Sequence, residues 1–256
     1  MSVPHEQSAA LARLPGIRHA FFGRRGGVST GAWASLNVSE KNADKPHYVA
    51  ENRAIAAAAV GATPLTLATL NQVHSVTVMA VTRPPAPGER PAADAMVSDL
   101  HGVTLGILTA DCCPVLLADS RAGVIGAFHA GWKGAIGGIA QATVSAMESL
   151  GADPANIVAA IGPTISQRNY EVGPEFAASL LAQHRDAGNR IFVPPGGREH
   201  FDLPGFVFDR LYEAEVGLVQ DLGICTYADP KRYFSHRYAT HQGIETGRQI
   251  ALVSLS

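Results

Sequence analysis

The sequence contains few cysteines, few charged residues and no apolar run of membrane-spanning length. Three of its 256 residues are cysteine and two of those are adjacent, a poor disulfide framework that indicates a reducing, cytoplasmic setting. Charged residues make up 16% and the formal net charge is −2, so no attraction to nucleic acid or an anionic membrane is expected. A spanning helix needs roughly 20 apolar residues, and residues 2–10 lack the basic start and apolar core of a signal peptide.

Several catalytic motifs are also missing. The chain has no P-loop, no Gly-x-Gly-x-x-Gly after a strand and no Gly-x-Ser-x-Gly elbow, which disfavours nucleotide cradling by those routes and a serine hydrolase. Its ten histidines include no His-x-His pair. A multicopper oxidase needs closely spaced histidine pairs for its trinuclear cluster, so this inventory disfavours that class of oxidase.

The composition and the order of predicted elements indicate one globular domain over residues 1–256. With 46% hydrophobic residues the chain has enough apolar surface for a sizeable core, and its proline-rich run at 83–91 is too short to separate domains. Strands are predicted at 17–22, 76–81, 103–109, 157–161, 191–193, 224–227 and 249–255, and helices at 48–60, 135–150, 175–184 and 204–216. Because strands and helices mix without a strict β-α-β repeat, the pattern predicts an α+β fold.

Two apolar runs of strand length, 106–119 and 123–134, carry residues able to bind a metal. Cys112 lies where the first run is predicted to break at Pro114, and His129 lies where the second gives way to glycines. A third candidate, His74, precedes another apolar run. Only one of Cys112 and Cys113 can face the site from an extended chain, and composition does not choose between them. The long spacing predicts a site assembled by the fold and not a zinc finger.

A glycine-rich turn at 23–31 carries Arg24 and Arg25. Glycines let backbone amides approach an anion and arginines present bidentate forks to phosphate, so the turn is a candidate phosphate site. The alternative is a solvated hairpin turn without a ligand.

A set of short segments in fixed order resembles one family. The segments are FFGRRGGVS at 21–29, SLN at 35–37, ENR at 51–53, NQVH at 71–74, TADC at 109–112, PVLL at 114–117, HAGWKG at 129–134, AIGP at 160–163, YEVG at 170–173 and TGRQ at 246–249. They are similar to the laccase-domain family, also called multicopper polyphenol oxidase, which includes a peptidoglycan editing factor and purine nucleoside phosphorylases. The resemblance implies a four-layer α/β/β/α sandwich with mixed sheets. It also implies His74, Cys112 and His129 as metal ligands, with Cys113 a bystander.

The chain departs from the family pattern at three places. Thr164 stands where the family usually has cysteine, so a thiol role there is absent. Lys133 replaces the usual arginine after tryptophan, which keeps the charge and loses the bidentate fork. The segment 237–243 replaces a usual Arg-Arg-Asp-Gly run, so its substrate contacts are not carried over.

The resemblance implies a zinc-dependent purine nucleoside enzyme that phosphorolyses adenosine, inosine or methylthioadenosine and deaminates adenosine. A Cys-His-His set with an open fourth position suits catalytic zinc, and Cu²⁺ also fits these ligands. Asp111 is the expected general acid or base, or else a structural hydrogen-bond acceptor. Arg24 and Arg25 are expected to hold phosphate, and the expected substrate contacts are Asn37, Gln72 and Lys133. The expected partners are a nucleoside and phosphate, with neither nucleic acid nor membrane, and the chain is expected to be a monomer or weak dimer.

Three alternatives remain open at this stage. The first is a cytoplasmic amidase that edits peptidoglycan precursors. The second is a metal-free hydrolase in which Cys112 is the nucleophile and His129 its base. The third is a binding domain without turnover.

Overall fold

The computed structural model describes residues 3–84, 86, 88–173 and 175–256 of the chain. Pro85 and Pro87 of the predicted proline-rich excursion lie outside these residues, as do Ser2 and Pro174. The helices of the described part are α1 (Pro46–Ala59), α2 (Trp132–Gly137), α3 (Ile139–Glu148), α4 (Phe176–Gln183), α5 (Leu203–Glu213) and α6 (His236–Gln242). None of them is long and apolar enough to cross a membrane.

Thirteen strands in the described residues form two large sheets and one small ribbon. The strands are β1 (His5–Glu6), β2 (Ile17–Phe22), β3 (Leu67–Thr69), β4 (Val78–Ala80), β5 (Ala95–Ser98), β6 (Thr104–Thr109), β7 (Cys113–Asp119), β8 (Val124–Ala130), β9 (Val158–Ile161), β10 (Ile191–Phe192), β11 (His200–Phe201), β12 (Leu218–Asp221) and β13 (Gln249–Leu255). The first sheet has the order β1-β2-β13-β6-β3, the second β12-β9-β7-β8-β5-β4, and β10 pairs with β11. Each large sheet is mixed, since β3 runs parallel to β6, β4 to β5 and β12 to β9, whereas their other pairs are antiparallel.

Three layers of buried apolar side chains separate four layers of backbone. Successive side chains of a strand point to opposite faces of its sheet. When both faces are buried, the sequence of the strand is therefore a continuous apolar run. Leu105 and Ile107 of β6 pack between the two sheets against Leu116 of β7. The outer face of the first sheet packs on α1, and the outer face of the second packs on α3 and α5. The expected α+β fold with a four-layer α/β/β/α sandwich is therefore confirmed.

Most predicted elements are present within a few residues of their expected bounds. The strands at 17–22 and 249–255 have the predicted limits, and α1, α4 and α5 match the three helices expected at 48–60, 175–184 and 204–216. Pro204 lies in the first turn of α5. Backbone N–H groups in this turn have no intrahelical acceptor, so a proline there breaks no helix hydrogen bond. These elements carry strong periodic or breaker signals, which explains their accurate prediction.

Three predictions about individual elements are wrong. The helix expected over 135–150 is two helices, α2 and α3, because Gly138 between them adopts a left-handed φ of 94°. The strand expected at 224–227 is a single bridge between Cys225 and Thr164, whereas the true edge strand is β12. Pro114 does not break its run: it lies inside β7 opposite His129, and the break falls at 110–112.

A buried histidine of β2 ties the N-terminal segment to the first sheet. His19 is 2% exposed, and its Nε2 accepts a hydrogen bond of 2.8 Å from the backbone N–H of Ser8. Burial, together with repulsion from His5, lowers the pKa of His19 to about 4. The ring is therefore neutral in the folded chain at neutral pH, as its acceptor role requires.

This histidine makes the stability of the fold depend on pH. Since the pKa is lower in the folded chain than the ordinary 6.5, the stabilisation is complete above pH 6.5 and is lost as pH falls towards 4. We expect His19→Gln to flatten the pH dependence of the unfolding free energy by roughly 2 kcal/mol across that window, allowing for solvent screening. Urea unfolding at several pH values measures this, with the exposed His47→Gln as matched control. If the unfolding free energy of His19→Gln changes with pH as steeply as that of the wild type, His19 is not the source of this pH dependence.

Candidate metal centre

Three chain segments converge at one edge of the sandwich, where strands of both sheets end. The parallel strands β3 and β6 both end at this edge, because Thr69 pairs with Gly106 three residues before β6 stops. Between β6 and β7 the chain crosses from the first sheet to the second in residues 110–112. In the β7/β8 pair, Cys113 lies opposite Ala130. Cys112 thus lies next to the end of β8.

The structure brings His74, Cys112 and His129 together. Their ligand atoms all lie within 4.8 Å of one another, and no other such group of three occurs in the described residues. The rings of His74 and His129 meet edge to face with centroids 4.8 Å apart. His129 is buried, Cys112 is half-buried and His74 is exposed, so the cluster opens to solvent on the His74 side.

A buried carboxylate that the sequence reasoning missed organises the cluster. Asp94 is fully buried, and its Oδ1 lies 2.9 Å from Nδ1 of His129. The same carboxylate accepts hydrogen bonds from the backbone N–H groups of Val73, His74 and Ser75 and from the Ser75 hydroxyl. Burial alone would raise the pKa of Asp94, but the hydrogen bonds from His129 and Ser75 lower it far below its usual value. One anion therefore fixes two of the three candidate ligands.

The electrostatics at the cluster couple His129 to its neighbours. Burial would lower the pKa of His129, but attraction by the Cys112 sulfur and the hydrogen bond with Asp94 raise it to about 9. Burial and repulsion from His129 lower the pKa of His74. Because Nδ1 of His129 faces Asp94, its Nε2 faces the cluster, an arrangement that fixes the ring of a metal-binding histidine.

The backbone leaves room for the ligands at Gly131. A Cβ atom added there would lie 2.4 Å from Nδ1 of His74 and 3.4 Å from Sγ of Cys112. Only glycine therefore allows the β8 end to pass this close to the two side chains. Sulfur and imidazole donors suit zinc or copper, with bond lengths of about 2.0–2.3 Å, and three protein ligands leave a fourth position open. The residues present accordingly fit a metal ion.

Asp111 lies beside the cluster with both carboxylate oxygens already engaged. Its Oδ1 accepts a 2.6 Å bond from the Thr226 hydroxyl, and its Oδ2 accepts a 2.6 Å bond from the Arg237 backbone N–H in the first turn of α6. Its backbone φ is 88°, a left-handed value that is uncommon outside glycine. The geometry favours the structural alternative for Asp111, which holds the sharp strand break before Cys112.

Neither Arg24 nor Arg25 lines either of the two cavities that adjoin the cluster. The Arg24 guanidinium donates to the backbone carbonyls of Ala32, Ala34 and Pro230. Arg25 is exposed, and its Nε donates to the carbonyl of Lys231. The guanidinium donors of Arg24 hold the turn 23–31 onto the segment before α6, and the phosphate role expected of the two arginines stays a prediction.

The three expected substrate contacts take different positions. Asn37 is fully buried, and its side chain bonds Asp44 and the backbone N–H groups of Ser39 and Arg248, so it supports the cavity wall without reaching a ligand. Gln72 does line the cavity, with its amide paired to both backbone groups of Leu108. Lys133 is exposed, with its Nζ 5.5 Å from the centroid of the Trp132 ring.

The structure also shows the contacts of the residues that depart from the family pattern, and the position of Cys113. Thr164 is buried, and its hydroxyl donates to the Asp111 carbonyl at 2.8 Å, which helps to hold the strand break. Within 237–243, Arg237 stacks on Tyr170, with its Cζ 5.3 Å from the ring centroid. Cys113 is fully buried in the core between the second sheet and its helices, so it points away from the cluster.

Two cavities adjoin the cluster on different sides. The first, of about 340 Å³, is polar and is lined by the three candidate ligands and by Gln72, Glu40, Lys41, Asn42, Arg90, His236, Thr246 and Arg248, among others. The second, of about 200 Å³, has Trp132, Tyr170, Ile165 and Leu203 in its wall, together with the polar residues His74, Asp111, Cys112, His236 and Arg237. The cluster therefore separates a cationic pocket from an aromatic one.

Comparison with known proteins agrees with this fold and site. Residues 18–256 match the family model described as multi-copper polyphenol oxidoreductase laccase. The chain belongs to this family. It is 47% identical to a purine nucleoside phosphorylase of Deinococcus radiodurans, over 96% of this chain and 92% of that protein. An Escherichia coli protein of the same name is 35% identical over 91% of both chains.

Solved structures of related proteins share the whole fold. A Neisseria meningitidis protein superposes with a TM-score of 0.86 at 32% identity and covers both chains completely. The protein YlmD from Geobacillus stearothermophilus superposes with a TM-score of 0.85 at 26% identity over 98% of each chain. The likeness therefore includes every layer of the sandwich.

The cluster predicts which of the adjacent cysteines holds metal. We expect Cys112→Ala, like His74→Ala or His129→Ala, to lower the metal content of the purified protein from about one ion per chain to near zero. Cys113→Ala is the matched control and should keep its metal, because that thiol lies in the core. Elemental analysis by mass spectrometry measures this. Loss of metal in Cys113→Ala alone would reverse the assignment.

The buried carboxylate predicts a second effect on the metal. Asp94→Asn keeps the size of the side chain and removes the charge that orients His129, so metal affinity should fall about 10- to 100-fold. Competition with a chromophoric chelator measures the affinity. Asp99→Asn, at an exposed position directly after β5, provides the control and should leave the affinity unchanged. An Asp94→Asn protein that folds and binds metal like the wild type would contradict this role.

Proposed function

We propose that the protein is a zinc-dependent purine nucleoside enzyme that phosphorolyses adenosine, inosine and methylthioadenosine and also deaminates adenosine. The relatives that carry the name purine nucleoside phosphorylase support an enzyme of that kind. The observation that carries the proposal here is the position of the His74, Cys112 and His129 cluster between a cationic pocket and an aromatic one.

The two pockets suit the two ends of a nucleoside reaction. Trp132 is 38% exposed, and it lines the aromatic pocket with Tyr170, where a purine ring would find stacking partners. The cationic pocket favours the negative charge of phosphate. A nucleoside that lies across the cluster would place its ribose near the ligands, with the base on one side and phosphate on the other.

Phosphorolysis requires one bond to form and one to break. A phosphate oxygen bonds to C1′ of the ribose while the bond from C1′ to the base nitrogen breaks, and the released base takes up a proton. Deamination at C6 instead adds the elements of water and releases ammonia. Zinc at the cluster would supply positive charge and make water more acidic, which suits the second reaction directly.

In this proposal most of the named side chains hold the candidate ligands and the cavity wall in place and do not react themselves. Asp94 holds His129 and the His74 loop, and Gln72 holds the cavity wall against β6. Asp111 keeps its proposed role as general acid or base only if one of its carboxylate oxygens exchanges its present partner for substrate, since Thr226 and Arg237 now occupy them.

A metal-free cysteine hydrolase is the second candidate, and one specific observation favours it. Cys112, His129 and Asp94 are arranged as a nucleophile, a base and a carboxylate that orients the base. This triad does not need His74. The close packing of His74 on His129 and against Gly131 is explained by a metal and not by the triad, so the metal proposal accounts for more of the site.

Chelation separates these two candidates. We expect removal of the metal to abolish turnover of adenosine and inosine and to expose Cys112 to iodoacetamide, because a coordinated thiolate is shielded from the reagent. Zinc added before alkylation should restore activity, and zinc added afterwards should not. Chromatography of the products measures turnover, and mass spectrometry of the labelled cysteines measures alkylation of Cys112. Full activity in chelator with rapid inactivation by iodoacetamide would favour the hydrolase.

A further inference from the structure

The cationic pocket contains a guanidinium that no carboxylate of the described residues pairs with. Arg248 donates from Nη1 to the carbonyl of Gly247 at 2.8 Å, and its Nε and Nη2 have no partner in that part of the chain. Its backbone is fixed, since Asn37 Oδ1 accepts from its N–H and its carbonyl accepts from the N–H of Val38. The side chain is half-buried and lines the cavity. A partly desolvated guanidinium without a hydrogen-bonded counter-charge is costly unless an anion binds to it.

A second unsatisfied donor lines the same cavity. Nδ2 of Asn42 is buried and has no hydrogen-bond partner among the described residues. The orientation of its amide is set by Asn37, whose Nδ2 donates to Oδ1 of Asn42 at 3.3 Å. Rotation of the Asn42 amide by 180° would place two N–H₂ groups against each other. The missing partner is therefore an acceptor, and leaving such a donor unpaired costs about 1–3 kcal/mol.

The charges around these donors favour an anion. Glu40 is the acidic residue of this wall, and both of its oxygens are occupied, by Arg53 at 2.8 Å and by Arg90 at 2.6 Å. Lys41 and Arg248 therefore keep their positive charge without a partner carboxylate within 4.0 Å in the described residues. The local balance attracts a negatively charged ligand to the wall beside the metal cluster.

We propose that Arg248, Asn42 and Lys41 form the subsite that binds inorganic phosphate as the co-substrate. An arginine fork from one segment, with an amide donor and an ammonium from another, suits a tetrahedral oxyanion better than a planar carboxylate. This inference depends on the proposed phosphorolysis for its function. It replaces the turn of Arg24 and Arg25 as the phosphate site, because the donors of Arg24 are occupied by backbone carbonyls.

The first test compares phosphate-dependent and phosphate-independent turnover. Arg248→Lys keeps the charge and loses the fork, and Asn42→Ala removes the donor. Each should raise the KM for phosphate in inosine phosphorolysis at least about tenfold, which corresponds to one charge-assisted hydrogen bond, and leave adenosine deamination within about twofold. The exposed residues give matched controls, Arg185→Lys and Asn189→Ala, which should change neither activity. Equal loss of both activities, or an unchanged KM for phosphate, would overturn the subsite.

The second test measures binding directly and is independent of turnover. Calorimetric titration of the zinc-loaded protein with inorganic phosphate should show binding that Arg248→Lys, Asn42→Ala and Asn42→Asp weaken, with Asn42→Asp the most affected because it adds a negative charge. If Arg248→Lys fails to fold, the two Asn42 variants decide. Tighter binding of adenosine 5′-monophosphate or acetate than of phosphate would overturn inorganic phosphate as the occupant. Weakened phosphate binding in the variants, with no nucleoside turnover in the wild type, would support the subsite and refute the proposed function.

Discussion

The carboxylate of Asp94 is the interaction on which the site depends. It is fully buried just before β5 of the second sheet, and it accepts hydrogen bonds from the loop that follows β3 of the first. A buried carboxylate is stable only when its lone pairs are filled, and here three amides, the Ser75 hydroxyl and the His129 ring fill them. One charge therefore joins the two sheets at their shared edge and orients two candidate ligands.

The third candidate ligand depends on a different constraint, the sharp break between β6 and β7. The chain moves from one sheet to the other across residues 110–112, and Asp111 adopts a left-handed conformation there. Such a conformation persists only when its surroundings determine it. Thr226, Arg237 and Thr164 provide that support from three segments of chain, which explains how a residue between two strands holds Cys112 in a fixed place.

The sequence predicted the layers of the fold more reliably than the fine structure of the site. Continuous apolar runs identify strands covered on both faces, and the resemblance to known segments selects the three candidate ligands that the fold brings together. The break of the long helix at Gly138 was missed, because glycine is compatible with a helix interior until its φ is known. Asp94 was missed because an acidic residue before a strand carries no signal of the loop that folds over it. The carbonyl partners of Arg24 could not be predicted, because a glycine-rich turn does not reveal which carbonyls approach its guanidinium.

The family description names copper, and the candidate ligand set is chemically compatible with copper as well as zinc. A thiolate with two imidazoles binds zinc, and the general order of affinities places Cu²⁺ above Zn²⁺ for such donors. Multicopper chemistry requires in addition a second group of paired histidines, and the described residues bring only His74 and His129 into a cluster of donors. Copper in a purified preparation would therefore report the relative affinity and supply of the two metals. The groups that a substrate at a metal bound there would meet are an aromatic wall and a cationic one.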